Sequence, residues 1–309
     1  MEQNFSVAIY FSKNKTLLSV LERTETAFYV HYVKSFSAVD LNDITSEAAS
    51  MAVFEIGDAL ENFIGQTSRV FVTVDTNYYT MTSIPGNVPI GSNEFSDLMN
   101  LEIRQTNPDA SIDDYRIKLT QLPAGTGSPM NLVVIISNAI VDAADAFIQN
   151  FGLRMTDINP IPFSAINTFT YNYPDNATHN CLLVNLYDPI LGFAIISNNN
   201  LLGIEYVTLT KDASIAETIE SKIDSIMQSH NITDLDAIYF FGDEINRDQY
   251  FVCWEVGLIK GGDSRRLNPF RMVKTNLEQR DQEYCARVFH QYVSCIGGAL
   301  PTFFPVSVR

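Results

Sequence analysis

The feature that most constrains this chain is an order of elements that occurs twice. Cys181–Asp188, CLLVNLYD, reads as an apolar strand ending in a polar turn. Strand-like runs at Gly192–Ser197 and Leu202–Leu209 follow, then a helical run at Ala213–Ser229. Near the N-terminus Val7–Phe11 is an apolar strand and Ser12–Lys15 a polar turn. Leu17–Arg23 and Ala27–Phe36 are strands, and Ser46–Phe63 has helical periodicity. Strand, turn, strand, strand, helix, met twice, predicts two related halves of one fold.

The rest of the chain fits that reading. At 309 residues it exceeds one small core and predicts two domains, or one with insertions. Arg69–Asp75, Tyr78–Ile84, Leu132–Ser137 and residues 153–160 read as strands. Asp114–Leu122 alternates Tyr115, Ile117 and Leu119 inward with Arg116, Lys118 and Thr120 outward, which predicts a half-buried strand. Helices are predicted at Asn93–Thr106, with Phe95, Leu98, Met99 and Ile103 on one face, and at Ile140–Phe151 before Gly152. Pro162 opens a short helix, and the polar run Tyr173–Asn180 is the best boundary. Gly65 is read as the stop of the first helix. Ala237–Phe241 reads as a strand ending at Gly242, and Ile245–Val256, with Trp254, as amphipathic. Gly257–Lys260 reads as a short edge strand, and Gly261–Asn268 is polar and glycine-containing. Leu277–Leu300 reads as one long helix with Tyr284, Val288, Tyr292, Cys295 and Ile296 inward.

Composition narrows the function. The net charge of −16 is spread along the chain and works against nucleic-acid phosphates and anionic lipid. No run of about 18 apolar residues could span a bilayer. MEQNFSVAIYF lacks the basic start of a secretory signal. Cys181, Cys253, Cys285 and Cys295 match no metal spacing and read as core residues in a reducing compartment.

Catalytic signatures are missing. No GxSxG, HExxH, GxxxxGK[ST] or GxGxxG occurs. His31, His179, His230 and His290 are isolated and read as surface or structural. Gly125-Thr126-Gly127 precedes a strand and reads as a turn, as does Gly261-Gly262-Asp263. Asp75, Asp97, Asp188 and Asp243 lie at strand ends or turns; such acids can hold magnesium but more often form turns and caps.

The order of elements resembles the actin-like ATPase superfamily, which includes actin, sugar kinases and FtsA. Within it the chain is most similar to the PilM-like proteins of type IV pilus assembly. The likeness covers nearly the whole chain. It is most specific at residues 131–169, NLVVIISNAIVDAADAFIQNFGLRMTDINPIPFSAINTF. The resemblance implies an α/β, actin-like (ribonuclease H-like) duplicated fold with an inserted α+β subdomain. The first half would span 1–175, with the insert at about 76–160. The second would span 176–309, with the helix 277–300 packing back on the first half.

The family binds ATP between its halves through glycine-bearing turns. Where the pattern has aspartate and glycine, this chain has Tyr10 and Ser12 in the first turn and Asn185 and Tyr187 in the second. The third turn is Gly242 followed by Asp243 in place of two glycines. A phenol cannot replace the aspartate that positions magnesium-bound water, and a tyrosine ring blocks the backbone approach to phosphate. The resemblance therefore implies a degenerate cleft with no cofactor, Mg-ATP being the alternative. It implies a cytoplasmic scaffold, peripheral at the inner membrane face, that binds the tail of a PilN-like membrane protein. An active actin-like ATPase or small-molecule kinase is the second reading. Tyr78–Ile84 and residues 95–103 would suit a groove for the tail, or plain core of the insert. The end LPTFFPVSVR lacks the basic amphipathic helix by which FtsA binds membrane.

Overall fold

A strand that is apolar on both faces belongs inside a covered sheet. From Ser6 to Phe11 every residue of β1 (Phe5–Phe11) is buried. The computed structural model describes residues 4–123, 129–187, 189–210, 214–242, 255–256, 260, 262–302 and 307–308. In it β1 pairs antiparallel with β2 (Lys15–Arg23) and parallel with β4 (Thr67–Val74). With β3 (Phe28–Ser37), β8 (Asp157–Pro160) and β14 (Lys274–Thr275) they form a six-stranded sheet, ordered β14-β3-β2-β1-β4-β8.

The second apolar strand, β9 (Cys181–Tyr187), is buried throughout and repeats this pattern. It pairs antiparallel with β10 (Ile190–Ser197) and parallel with β12 (Ala237–Phe241). Its sheet is ordered β11-β10-β9-β12-β13, with β11 (Asn200–Thr208) and β13 (Asp263–Arg266) at the edges. The orders β3-β2-β1-β4 and β11-β10-β9-β12 match in sequence and in sense. The repeat read from the sequence is thus a repeat of topology. α1 (Glu47–Leu60) stands between β3 and β4, and α5 (Ile215–His230) between β11 and β12. Ser46 caps α1 through Ala49 N, while the helix ends at Leu60 and Gly65 lies in a separate 3-10 turn.

A third, antiparallel sheet is ordered β15-β6-β7-β5. Its strands are β5 (Tyr79–Pro85), β6 (Tyr115–Leu122), β7 (Met130–Ser137) and β15 (Ser307–Val308). α2 (Asn93–Thr106) covers one face, setting Phe95, Met99 and Ile103 against Ile117, Leu119, Val133 and Ile135. Residues 95–103 therefore supply core, and Leu101 alone of their large apolar side chains is strongly exposed. Leu132, Val134 and Ile136 on the other face join the main core with α3 (Asn138–Gln149). That second layer overturns the outward placement of Lys118 and Thr120. Both are buried, and the Lys118 ammonium donates to Asp157 Oδ1 at 2.6 Å and Asn159 Oδ1 at 3.0 Å on β8.

Other expectations also change. Of residues 153–160 only Asp157–Pro160 is strand. Within the polar run 261–268, residues 263–266 form a strand, because backbone pairing to β12 outweighs their polar side chains. The helix expected over 277–300 is broken into α6 (Gln279–Val288), a 3-10 turn at Phe289–Gln291, and α7 (Val293–Ala299). One straight helix presents one apolar stripe. α6 buries only Cys285 and leaves Tyr284 exposed, whereas α7 is buried all round. The turn reconciles these environments. The readings at Gly125, Gly127, Asp188, Asp243, Cys253, Trp254, Gly261 and most of 245–260 lie outside the described residues.

α7 packs on β1, β2, β4 and α4 (Ile161–Asn172). Thr168 Oγ1 donates to the Val293 carbonyl at 2.7 Å and Asn167 Nδ2 to that of Gly297 at 3.2 Å. A Cβ on Gly297 would overlap the Ser164 carbonyl and the Thr168 hydroxyl. Gly297→Ala is therefore expected to lower stability by about 3 kcal/mol or more in urea unfolding, since backbone cannot yield as a side chain does. Gly57→Ala, in α1 with Phe151 carbons no nearer than 3.9 Å, is expected to add about 0.5–1 kcal/mol. Equal effects at the two positions would contradict this packing.

Candidate functional site

The residues at the two repeated turns are brought together across the molecule. Ser12 closes the first turn on itself: its hydroxyl donates to the Lys15 carbonyl at 2.9 Å and accepts from Lys15 N at 3.2 Å. Tyr187 ends β9 and is almost wholly buried. Its hydroxyl accepts from Lys13 N at 3.0 Å and donates to the Asp75 carboxylate. Lys15 Nζ reaches the 3-10 turn, donating to Gln291 Oε1 at 2.8 Å. Tyr10 is buried inside β1.

Asp75 sits just past the end of β4 with no exposed surface. Thr76 N donates to Oδ1 at 2.6 Å, the Thr76 hydroxyl to the same oxygen at 3.2 Å, and Lys13 N to Oδ2 at 3.3 Å. It caps the short turn Thr76–Tyr78, as a strand-end acid commonly does, and it is also the carboxylate on which both repeated turns converge. Burial pushes its pKa above the ordinary carboxylate value, against the hydrogen bonds from Tyr187, Thr76 and Lys13. Asp97, by contrast, lies on α2.

Gly242 follows β12 at φ +124°, and its N–H donates to the His290 carbonyl at 3.2 Å. A Cβ there would overlap the Leu186 carbonyl and stand 2.7 Å from Asn185 Oδ1. Glycine at this position serves protein packing. Asn185 is buried beside it. Behind Asn185, Tyr206 packs on Gly192, and its hydroxyl bonds that of Tyr79 at 2.8 Å. Burial raises both phenols. The cavity left among Asn185, Gly192, Tyr206, Phe241, Ala165 and Pro162 is about 10 Å³, room for one water. A cavity of about 200 Å³ lies on the other side of the first turn, lined by Ser12, Lys13, Asp40, Asn42, Asn77 and Tyr78.

The histidines stay apart. His31 Nε2 meets Glu22 at 2.8 Å, His179 lies 3.9 Å from Asp236, and His290 is buried. Cys181, Cys285 and Cys295 are free thiols pushed up by burial, to about 12, 11 and 12. Among the described residues no three metal-ligating side chains are grouped. Sequence reasoning did not single out Tyr79, Tyr206 or Gln291, whose roles arise from contacts between distant strands.

A buried acid with a raised pKa binds its proton more tightly in the native state than unfolded. Stability therefore falls as pH rises from about 4, the unfolded value, to the native pKa. Unfolding of wild type and Asp75→Asn between about pH 4 and pH 8 is expected to show wild type losing ground to the variant over that window. Parallel profiles would contradict it.

No family model and no curated protein sequence matches the chain. Among solved structures it is similar to a chain of the PilM-PilN type IV pilus biogenesis complex. That match has a TM-score of 0.68 at 11% identity and covers 96% of this chain and 99% of that one. It is also similar to a Bacteroides thetaiotaomicron protein with an actin-like ATPase fold and unknown function. There the TM-score is 0.52 at 9% identity, covering 88% and 95%. The expected architecture is thereby confirmed: the chain has the α/β actin-like ATPase fold.

Proposed function

We propose that this protein is a non-catalytic actin-like scaffold of a pilus or secretion-type assembly. It holds the cytoplasmic tail of a PilN-like membrane protein at the inner membrane face. The observation that carries the loss of catalysis is the Tyr187 hydroxyl, fixed between Lys13 N and Asp75. The fold family implies a magnesium nucleotide between these turns, and the residues here do not fit it. Ser12 spends its hydroxyl on its own turn, and Tyr187 occupies the approach to the backbone. The one carboxylate at the junction is desolvated and already accepts four hydrogen bonds.

The partner reading is supported by the fit to the chain from the PilM-PilN complex. Among the described residues no helix is long and apolar enough to cross a membrane, which suits attachment through a protein partner.

Calorimetry with Mg-ATP tests the first half, with no saturable heat expected; micromolar binding with measurable hydrolysis would sink it and favour an active ATPase or kinase. Pull-down of tagged protein from native membranes tests the second. The expected catch is a single-span protein with a short N-terminal cytoplasmic tail, and recovery of soluble proteins alone would overturn it. Tyr187→Phe should cost about 1–3 kcal/mol through the two hydrogen bonds lost and create no nucleotide binding.

A further inference from the structure

A surface helix ordinarily has an apolar inner face and a polar outer one. The inner face of α1 follows that rule: Ala49, Ala52, Ile56 and Leu60 are buried in the main core. The outer face does not. It carries Met51 and Phe54, 57% and 71% exposed, one turn apart. Of the strongly exposed large apolar side chains among the described residues, these two alone share a helix.

The neighbours of this pair are acids. Glu47, Met51, Phe54, Asp58 and Glu61 follow one another at intervals of four, three, four and three residues, and all five are exposed. That alternation is the a and d spacing of a heptad, which keeps to one line along a helix. The line has an apolar centre and acidic ends, and Glu55 adds an exposed carboxylate beside it. Between Lys34 and Arg69 the chain has no Lys, Arg or His, while it has Asp40, Asp43, Glu47, Glu55, Asp58 and Glu61. Among the described residues no cation pairs with Glu47, Glu55, Asp58 or Glu61.

The C-terminal end of α1 makes this arrangement unfavourable by itself. A helix carries partial negative charge there, so its last turn favours cations and disfavours anions. The last turn of α1 has no base and contains Asp58, and Glu61 stands at the cap. Such a departure from local rules is expected at functional surfaces.

We infer that the outer ridge of α1 docks a basic amphipathic helix of a partner protein. The partner's apolar residues pack on Met51 and Phe54. Its Lys or Arg side chains, one turn to either side, meet Glu47 at one end and Asp58 and Glu61 at the other. Charge selects this occupant. A purely apolar face would desolvate the carboxylates without pairing them, and an acidic face or an anionic bilayer would be repelled. From Glu47 to Glu61 the ridge is about 21 Å long, so the matching segment has about four turns. The net charge of −16 draws a cationic segment in from a distance. The inference does not depend on the scaffold reading, because it is measured on the purified chain with a synthetic helix.

The test is fluorescence anisotropy of a labelled peptide of about 16 residues, with Leu at its central seam positions and Lys one turn to either side, added to the purified full chain. Saturable binding is expected, and none is expected for the same peptide with Glu in place of Lys. Phe54→Ser should weaken binding about tenfold and Met51→Ser about threefold, at unchanged melting temperature, since both side chains already face water. Asp58→Asn combined with Glu61→Gln should weaken it about tenfold while raising the melting temperature, because the helix end is relieved. Glu94→Gln combined with Asp97→Asn, exposed acids on α2, should leave the affinity unchanged. A variant carrying Glu47→Lys, Asp58→Lys and Glu61→Lys should bind the Glu peptide and lose the Lys peptide. Failure of the Lys peptide to bind would overturn the inference. So would equal affinity for wild type and Phe54→Ser, or an equal loss in the α2 control. Self-association of the chain alone that Phe54→Ser abolishes would also overturn it, by assigning the ridge to a second copy.

Discussion

The hydroxyl of Tyr187 is the contact on which the centre of this molecule depends. It accepts from a backbone amide of one repeated turn and donates to a carboxylate beside it, so three elements share one oxygen. Tyr187 and Asp75 are buried, and each would cost about 1–3 kcal/mol if left unpaired. The point where the two described turns meet is therefore occupied by the chain's own side chains. Tyr206 and Tyr79 extend that filling behind Asn185, leaving room for one water.

The covering element α7 works with this junction. Gly297 and Gly298 let it lie directly on α4 and on Thr73 of β4. The 3-10 turn before it carries Gln291 to Lys15 and the His290 carbonyl to Gly242. The break in the helix and the filled junction are consequently one arrangement: the chain must change direction there to reach both turns.

Much of the architecture was legible in the sequence. Unbroken apolar runs at β1 and β9 announce strands covered on both faces, and their matched surroundings announce the repeat. Failures occurred where a distant element decides the environment. Lys118 alternates as an outward residue should, yet the second layer on its sheet buries it against Asp157 and Asn159. Residues 263–266 carry no strand pattern of their own, and pairing with β12 makes them one. At the candidate site, Tyr10, Ser12, Asn185 and Tyr187 were visible as departures from a pattern, whereas the convergence on Asp75 was not. No local spacing connects Asp75 to Tyr187, and only the meeting of the two sheets does.

The position of α7 in the chain has a consequence for synthesis. Lys15 with Gln291 and Ser19 with Cys295 are contacts between residues 276 positions apart. The first sheet is nearly complete once β8 has been made, but the element that seals it is made only after β9 to β13 of the second sheet. Until then the strands around β1 wait with an apolar face uncovered. A chain that stops short of Val293 would keep that face open permanently, exposed to chaperones and proteases. Burial of Cys295 against Ser19 thus marks a chain translated through α7.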